Sequence, residues 1–331
     1  MPPAPRKLLR TLLAVVGAIP TLVVIAWFAF THHSPWTVPA EWRPTAEQLS
    51  PSTPGRGLSL RFLGVSGYEI TDGVTTLLID PTPTRPSPSA LLTGPLVPDE
   101  AHGAKLCPKA DFIFVNHTHF DHALDVPAIA LRTGAVVLGS KSTVNLALSR
   151  GVPASKVHEV HPGDHLTLGT FTVDVHRLHH TDILGISNPM HGVIPADAKA
   201  LWFWEYRMDS SLGLRLEAGG SSIWFHPTST FTAGEISGAP AETLIVGVTG
   251  EKLTAQKVKG LLAEVQPKRV LPSHFDNFFQ PVQRGLALMP GLDLPAARKL
   301  FLDADPKLQW ITLDYDQPMF LPPDAPRPGA P

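Results

Sequence analysis

The chain has 331 residues, 43% of them hydrophobic, enough for one large core or two modest ones. Its formal net charge of −2 supplies no electrostatic footprint for nucleic acid, and Lys and Arg cluster only at the extreme N-terminus. A single cysteine, Cys107, excludes an internal disulfide framework and a cysteine-based zinc site, whereas histidine is over-used: fifteen in all, seven of them between His158 and His191.

Residues 1–10 form a basic flank carrying Arg6, Lys7 and Arg10, and residues 11–30 that follow hold no charge. About 20 apolar residues suffice to span a bilayer as a helix, and a basic flank stays on its inner side. The run ends in bulky Trp27, Phe28 and Phe30, where a cleaved signal peptide would have small residues. An uncleaved transmembrane anchor is therefore expected, with the remaining chain extracytoplasmic (periplasmic or extracellular). A buried core helix is the alternative. Residues 31–57, rich in Pro, Ser and Thr, read as a juxtamembrane linker, and residues 321–331 as a disordered tail, which leaves 58–320 as the folded unit.

That unit opens with three short strands, at about 58–64, 67–72 and 74–80, broken by glycines that include the tight-turn pair Asp72-Gly73. "ADFIFVNH" is a further buried strand ending at histidines, "VPAIALRT" a helix, and "AVVLGS" a strand. "KSTVNLALSRG" is a helix closed by Gly151. "VHEVHPGDHLTLGTFTVDVHRLHH" reads as strand, turn and paired strands. A hairpin across Gly219-Gly220, the strand "TLIVGV", the helix "TAQKVKGLLAEVQ" and the strand "RVLPSH" complete an α/β protein with two sheets or one large mixed sheet.

The chemistry concentrates where the strand "ADFIFVNH" stops. His117-Thr118-His119-Phe120-Asp121-His122 is the pattern H-x-H-x-D-H. Alternate side chains of an extended loop share one side, so His117, His119 and Asp121 can converge, while His122 points elsewhere and could serve a second ion. Neutral imidazole and carboxylate suit zinc and leave the ion acidic enough to activate water. A polar loop of solvated histidines is the bland alternative. No serine, including Ser221, Ser222 and Ser273, has the spacing of a catalytic triad.

"LLIDP", "FVNHTHFDH", "VHEVHPGDHLTLGTFTVDV" followed by histidines, and "VLPSHFD" resemble, in order and interval, the metallo-β-lactamase fold superfamily over about residues 58–278. The style is similar to its ascorbate-phosphate lactonase and N-acylphosphatidylethanolamine phospholipase D-like branches. The resemblance implies a four-layer αββα sandwich with one or two zinc ions at the sheet edges. It implies that His117, His119 and a histidine of "RLHHT" hold the first ion, His180 being favoured over His179. Asp121, His122 and His274 would hold the second, and Asp80 of "LLIDP" would orient a ligand histidine, unless it is a plain turn aspartate before Pro81.

One position departs from the family pattern. A strand followed by Gly-Asp-Thr or a similar triplet normally supplies a carboxylate that bridges both ions; here the stretch is "SIWFHPTSTF", and the nearest acids, Glu217 and Glu235, miss the strand end. His226 stands in as a terminal ligand, or is an ordinary loop residue beside a one-ion site. His158, His161, His165 and His176 read as structural. His191, Trp202, Trp204 and Tyr206 fall in a long segment that either rims the site or contributes a buried strand.

The expected function is a membrane-anchored zinc hydrolase, manganese and iron being the other ions this donor set accepts. A metal-bound hydroxide, oriented by Asp121, would cleave an ester, lactone, amide or phosphodiester bond of a small-molecule or lipid-like substrate. A degenerate, non-catalytic metal-binding scaffold is the alternative. A nuclease is disfavoured by the acidic balance and the lack of room for a nucleic-acid clamp.

Overall fold

The computed structural model describes residues 18, 21–22, 24–25, 27–28, 30–32, 34–50, 56–180, 190–236, 238–250 and 252–324. The stretch expected to open the fold does so as β1 (Leu58–Gly64), β2 (Gly67–Thr71) and β3 (Thr76–Ile79). They continue through β4 (Phe112–Phe114), β5 (Val136–Gly139) and β6 (Val157–Glu159), and the late strand β14 (Pro318–Leu321) returns to pair with β1. The first sheet thus runs β14-β1-β2-β3-β4-β5-β6.

The second sheet is made of β7 (His165–Leu168), β8 (Phe171–Leu178), β9 (Ser211–Ala218), β10 (Ser221–His226), β11 (Thr243–Gly247), β12 (Arg269–Ser273) and β13 (Gln309–Trp310). Its order is β13-β12-β11-β10-β9-β8-β7. Both sheets share one plan, antiparallel hairpins on one side and parallel crossovers on the other. Parallel strands need covering on both faces, and the side chains alternate accordingly. Leu77 and Ile79 join Phe171, Val173, Leu214 and Phe225 between the sheets. Leu78, between them in sequence, faces the opposite way, packing with Ile113 and Val137 against Ile129 and Leu146 of the helices Val126–Thr133 and Lys141–Ser149. The helices Ala255–Val265 and Leu294–Ala304 bury Val258, Leu261 and Phe301 in the larger cluster.

The Pro-rich stretch before β1 lies against this core. Val38 and Trp42 are buried, Trp42 accepts a hydrogen bond from the Thr312 amide through its carbonyl, and Trp36 packs edge-on to Phe275. The transmembrane anchor expected over residues 11–30 is corrected. Most of that stretch lies outside the described residues, and among the described residues no helix is long and apolar enough to cross a membrane. The extracytoplasmic placement that rested on the anchor falls with it. Its described end is instead fastened to the domain: the Phe30 carbonyl accepts hydrogen bonds from Gln280 Nε2 at 2.7 Å and Asn277 Nδ2 at 3.2 Å. Of the disordered tail expected over residues 321–331, Leu321 instead ends β14 and the Asp324 amide donates to the Gly220 carbonyl at 2.8 Å, while residues 325–331 lie outside the described residues.

Candidate metal centre

Four of the candidate ligands come from the loop and short helical turn that follow β4. The backbone there is tied to the end of β3, where Asp80 takes a left-handed conformation (φ 44°) and accepts a hydrogen bond from the Asn116 amide through Oδ1 at 2.7 Å. The other Asp80 oxygen accepts from His122 Nδ1 at 2.8 Å. That fixes the His122 tautomer and leaves Nε2 to face Asp121, 3.7 Å away. Asn116 repeats the device on the neighbouring ring: its Oδ1 accepts from His117 Nδ1 at 2.6 Å, so Nε2 of His117 carries the lone pair.

The remaining two come from the second sheet. His180 follows β8 and His274 follows β12. His274 is also left-handed (φ 55°), with its amide held by the Val65 carbonyl at 2.6 Å. These six side chains form two groups, His117–His119–His180 and Asp121–His122–His274, in each of which the ligand atoms lie within 4.8 Å of one another. The rings of His117 and His122 are 3.9 Å apart, so the groups adjoin. His274 Nε2 donates to Asp121 Oδ2 at 3.2 Å.

The fit to metal rests on what the buried atoms lack as well as on donor chemistry. His117 Nε2 is buried without a hydrogen-bond partner, which is costly unless a cation takes up the lone pair. Burial first, then the surrounding imidazoles, hold His117 well below the usual histidine pKa, and the same causes bring His119 down to about 3. Both rings are therefore neutral, the form that coordinates. Burial alone would raise Asp121, but the His122 charge and the His274 hydrogen bond hold it below the usual carboxylate range. Burial likewise disfavours charge on His122, yet Asp121 and Asp80 together keep its pKa above the ordinary value.

His226 lies outside both groups. Its Nδ1 meets the Thr228 carbonyl at 2.9 Å and its Nε2 meets Glu235 Oε1 at 3.2 Å, so both ring nitrogens are already committed. Glu235, nine positions on, folds back over the β10 end, a placement that no local pattern of residues marks. There its other oxygen accepts from His179 Nδ1 at 2.9 Å. His179, the fallback ligand, is thereby 61% exposed on its side chain and turned to Glu235, whereas its neighbour His180 faces the cluster. Where the resemblance would place a bridging carboxylate, Pro227 and Thr228 line the cavity, and Asp121 is the one carboxylate among the described residues around it.

The cavity above the six ligands has a volume of about 440 Å³. Of the aromatic residues expected at the rim, Trp202 and Trp204 stack on each other at 4.8 Å and Tyr206 is buried in the core; it is Phe203 between them that reaches the cavity. His191 is paired across a short bridge to Met208. Phe278 and Phe279 also line the cavity. Their signal was available in "SHFDNFFQ", two adjacent aromatics shortly after a ligand histidine.

A family model described as "Beta-lactamase superfamily domain" matches residues 59–274. The UPF0173 metal-dependent hydrolase of Carboxydothermus hydrogenoformans is 27% identical over 228 residues, spanning 67% of this chain and 86% of that protein. Igni18, a metallo hydrolase from the archaeon Ignicoccus hospitalis, has a similar solved structure, with a TM-score of 0.51 at 16% identity over 80% of this chain and 97% of its own. The isothiocyanate hydrolase from Delia radicum gut bacteria is similar to the same degree, with a TM-score of 0.51 at 15% identity over 80% and 99% of the two chains.

Proposed function

The chain belongs to the metallo-β-lactamase superfamily of metal-dependent hydrolases, and from that premise we propose that it is a zinc enzyme cleaving an ester, lactone, amide or phosphodiester bond. The observation that carries this is the pair of three-residue groups, all histidine and aspartate, with the buried His117 Nε2 lacking a hydrogen-bond partner. Imidazole and carboxylate without thiolate favour zinc over softer-ligand metals, with manganese and iron as competitors for the same donors. One or two ions fit, one in each group. Bound there, a divalent ion supplies Lewis acidity, lowering the pKa of water and polarising the scissile group.

The protein's own residues do the rest. His117, His119 and His180 would hold the first ion, and Asp121, His122 and His274 the second. Asp80 keeps His122 in one tautomer, and Asn116 does so for His117. Asp121, ionised and facing the cavity, is placed to ligate through one oxygen and to accept a proton from the attacking water through the other, and so acts as the catalytic carboxylate. Apart from the ligand set, the described lining offers no acidic side chain, so the leaving group takes its proton from solvent or from a ligand-shell histidine.

The test is metal content and turnover measured together on the purified chain. One or two zinc ions per chain and hydrolysis of at least one of the four bond classes are expected. His119→Ala should lose more than about 100-fold in metal affinity, beyond the effect of an outer partner, and lose turnover with it. Stoichiometric zinc without turnover on any class overturns hydrolysis in favour of a binding scaffold, and wild-type protein that takes up no metal overturns both.

A further inference from the structure

We propose that Phe30, from the segment ahead of the catalytic domain, forms one wall of the substrate pocket, and that the substrate presents an uncharged apolar group to it. This deepens the hydrolase reading and rests on it. Around the six ligands the cavity is lined by Phe30, Leu91, Phe120, Phe203, Phe278 and Phe279, and by no lysine, arginine or glutamate among the described residues. A volume of about 440 Å³ is that of a small-molecule site. A charged substituent placed here, away from the six candidate ligands, would lose its water and gain no oppositely charged partner. An aryl or branched alkyl group would gain the face and edge contacts that aromatic side chains offer.

The wall is continuous from His274 to the distant segment. Phe278 sets its ring edge-on to ligand His274 at 5.5 Å, Phe279 packs on Phe278 at 4.5 Å, and Phe30 meets Phe279 edge-on at 5.1 Å. On the other side Phe120 lies 6.2 Å from Phe278 and 6.4 Å from Phe203. Phe30 is not there by loose apposition. The two amides that grip its carbonyl, on Asn277 and Gln280, belong to side chains of residues only 3% exposed, and both residues lie in the loop that follows His274. The same loop therefore carries a metal ligand, two wall aromatics and the clamp for a third. Phe30 is a specificity-determining residue, placed to set which group fits and not to take part in bond cleavage.

The experiment uses the full chain, with Phe30→Ala, the conservative Phe30→Leu, and Trp27→Ala as a control on the exposed face of the same segment. Two readouts are taken: KM and kcat of the zinc-loaded protein on phenyl butyrate and on its 4-carboxyphenyl analogue, and binding of the neutral fluorophore N-phenyl-1-naphthylamine to chelator-treated protein. Phe30→Ala should raise KM for the neutral ester and weaken fluorophore binding, each about tenfold, with kcat within about twofold, since truncating a buried aromatic removes binding area. Phe30→Leu should recover most of both, and Trp27→Ala should change neither. Wild type should prefer the neutral ester to the carboxylated one by at least about tenfold. If neither these esters nor a lactone, amide or phosphodiester is turned over but fluorophore binding weakens in Phe30→Ala alone, the wall stands and the hydrolytic reading fails. Unchanged fluorophore binding and KM in Phe30→Ala, or equal use of the two esters, overturns the proposal.

Discussion

The turns after β4 and after β10 both reach the same cavity and both carry histidine, yet one collects ligands and the other does not. After β4, each outer partner takes one ring nitrogen and leaves the second turned to the cluster: Asp80 holds Nδ1 of His122, whose Nε2 faces Asp121, and Asn116 holds Nδ1 of His117. After β10, Thr228 and Glu235 take both nitrogens of His226, and nothing is left to coordinate. What separates a metal site from a structural one here is therefore the number of partners already satisfied, not residue type or burial.

Three measurements would break or sharpen that contrast. His226→Leu should cost about 3 kcal/mol of stability, because it leaves the Glu235 carboxylate, whose side chain is 5% exposed, with only the exposed His179 ring as partner. It should nonetheless leave zinc per chain unchanged in metal analysis; loss of an ion would mean that the β10 turn belongs to the site after all. Asp80→Ala should act the opposite way, weakening metal affinity about 10- to 100-fold in a competition titration with chelator. Glu235→Gln is the mildest, at about 1–3 kcal/mol in urea unfolding. Burial would raise Glu235, but the hydrogen bonds from His226 and His179 hold it below its ordinary 4.5. Its contribution is thus present above about pH 4.5 and is lost as pH falls through the lower folded value, and the stability difference between wild type and Glu235→Gln should shrink on that side.

The contrast also marks what the sequence could reveal. The candidate ligands at 117, 119, 121 and 122 are legible because strand-end spacing is local, and His274 because it ends an apolar strand. The Glu235–His226 pair is not, since a carboxylate that folds back across a loop leaves no periodic trace. β13, of two residues, and β14, which opens on Pro318, are too short or too proline-bound to register as strands. The helix Leu294–Ala304 does carry local signals, with Asp293 as N-cap accepting from the Ala296 amide and a proline in its first turn. The apolar run over 11–30 misled for a different reason. A row of large apolar residues reads as a membrane span, whereas among the described residues no helix is long and apolar enough to cross one, and the contacts of Asn277 and Gln280 with Phe30 leave no trace in the sequence.

The pairing of β1 with β14 has a consequence for biosynthesis. Leu58 lies opposite Leu321 and Arg61 opposite Pro318, so the strand that opens the first sheet is completed by nearly the last described residues. On the ribosome, every ligand from His117 to His274 has been made while one edge of β1 still has bare amides and carbonyls. An unpaired edge of that kind is a template for another chain. Translation that stalls or terminates before Pro318 therefore yields a polypeptide with all its metal-binding groups and an open sheet. Such a fragment is primed to aggregate, and degradation rather than activity is its expected fate.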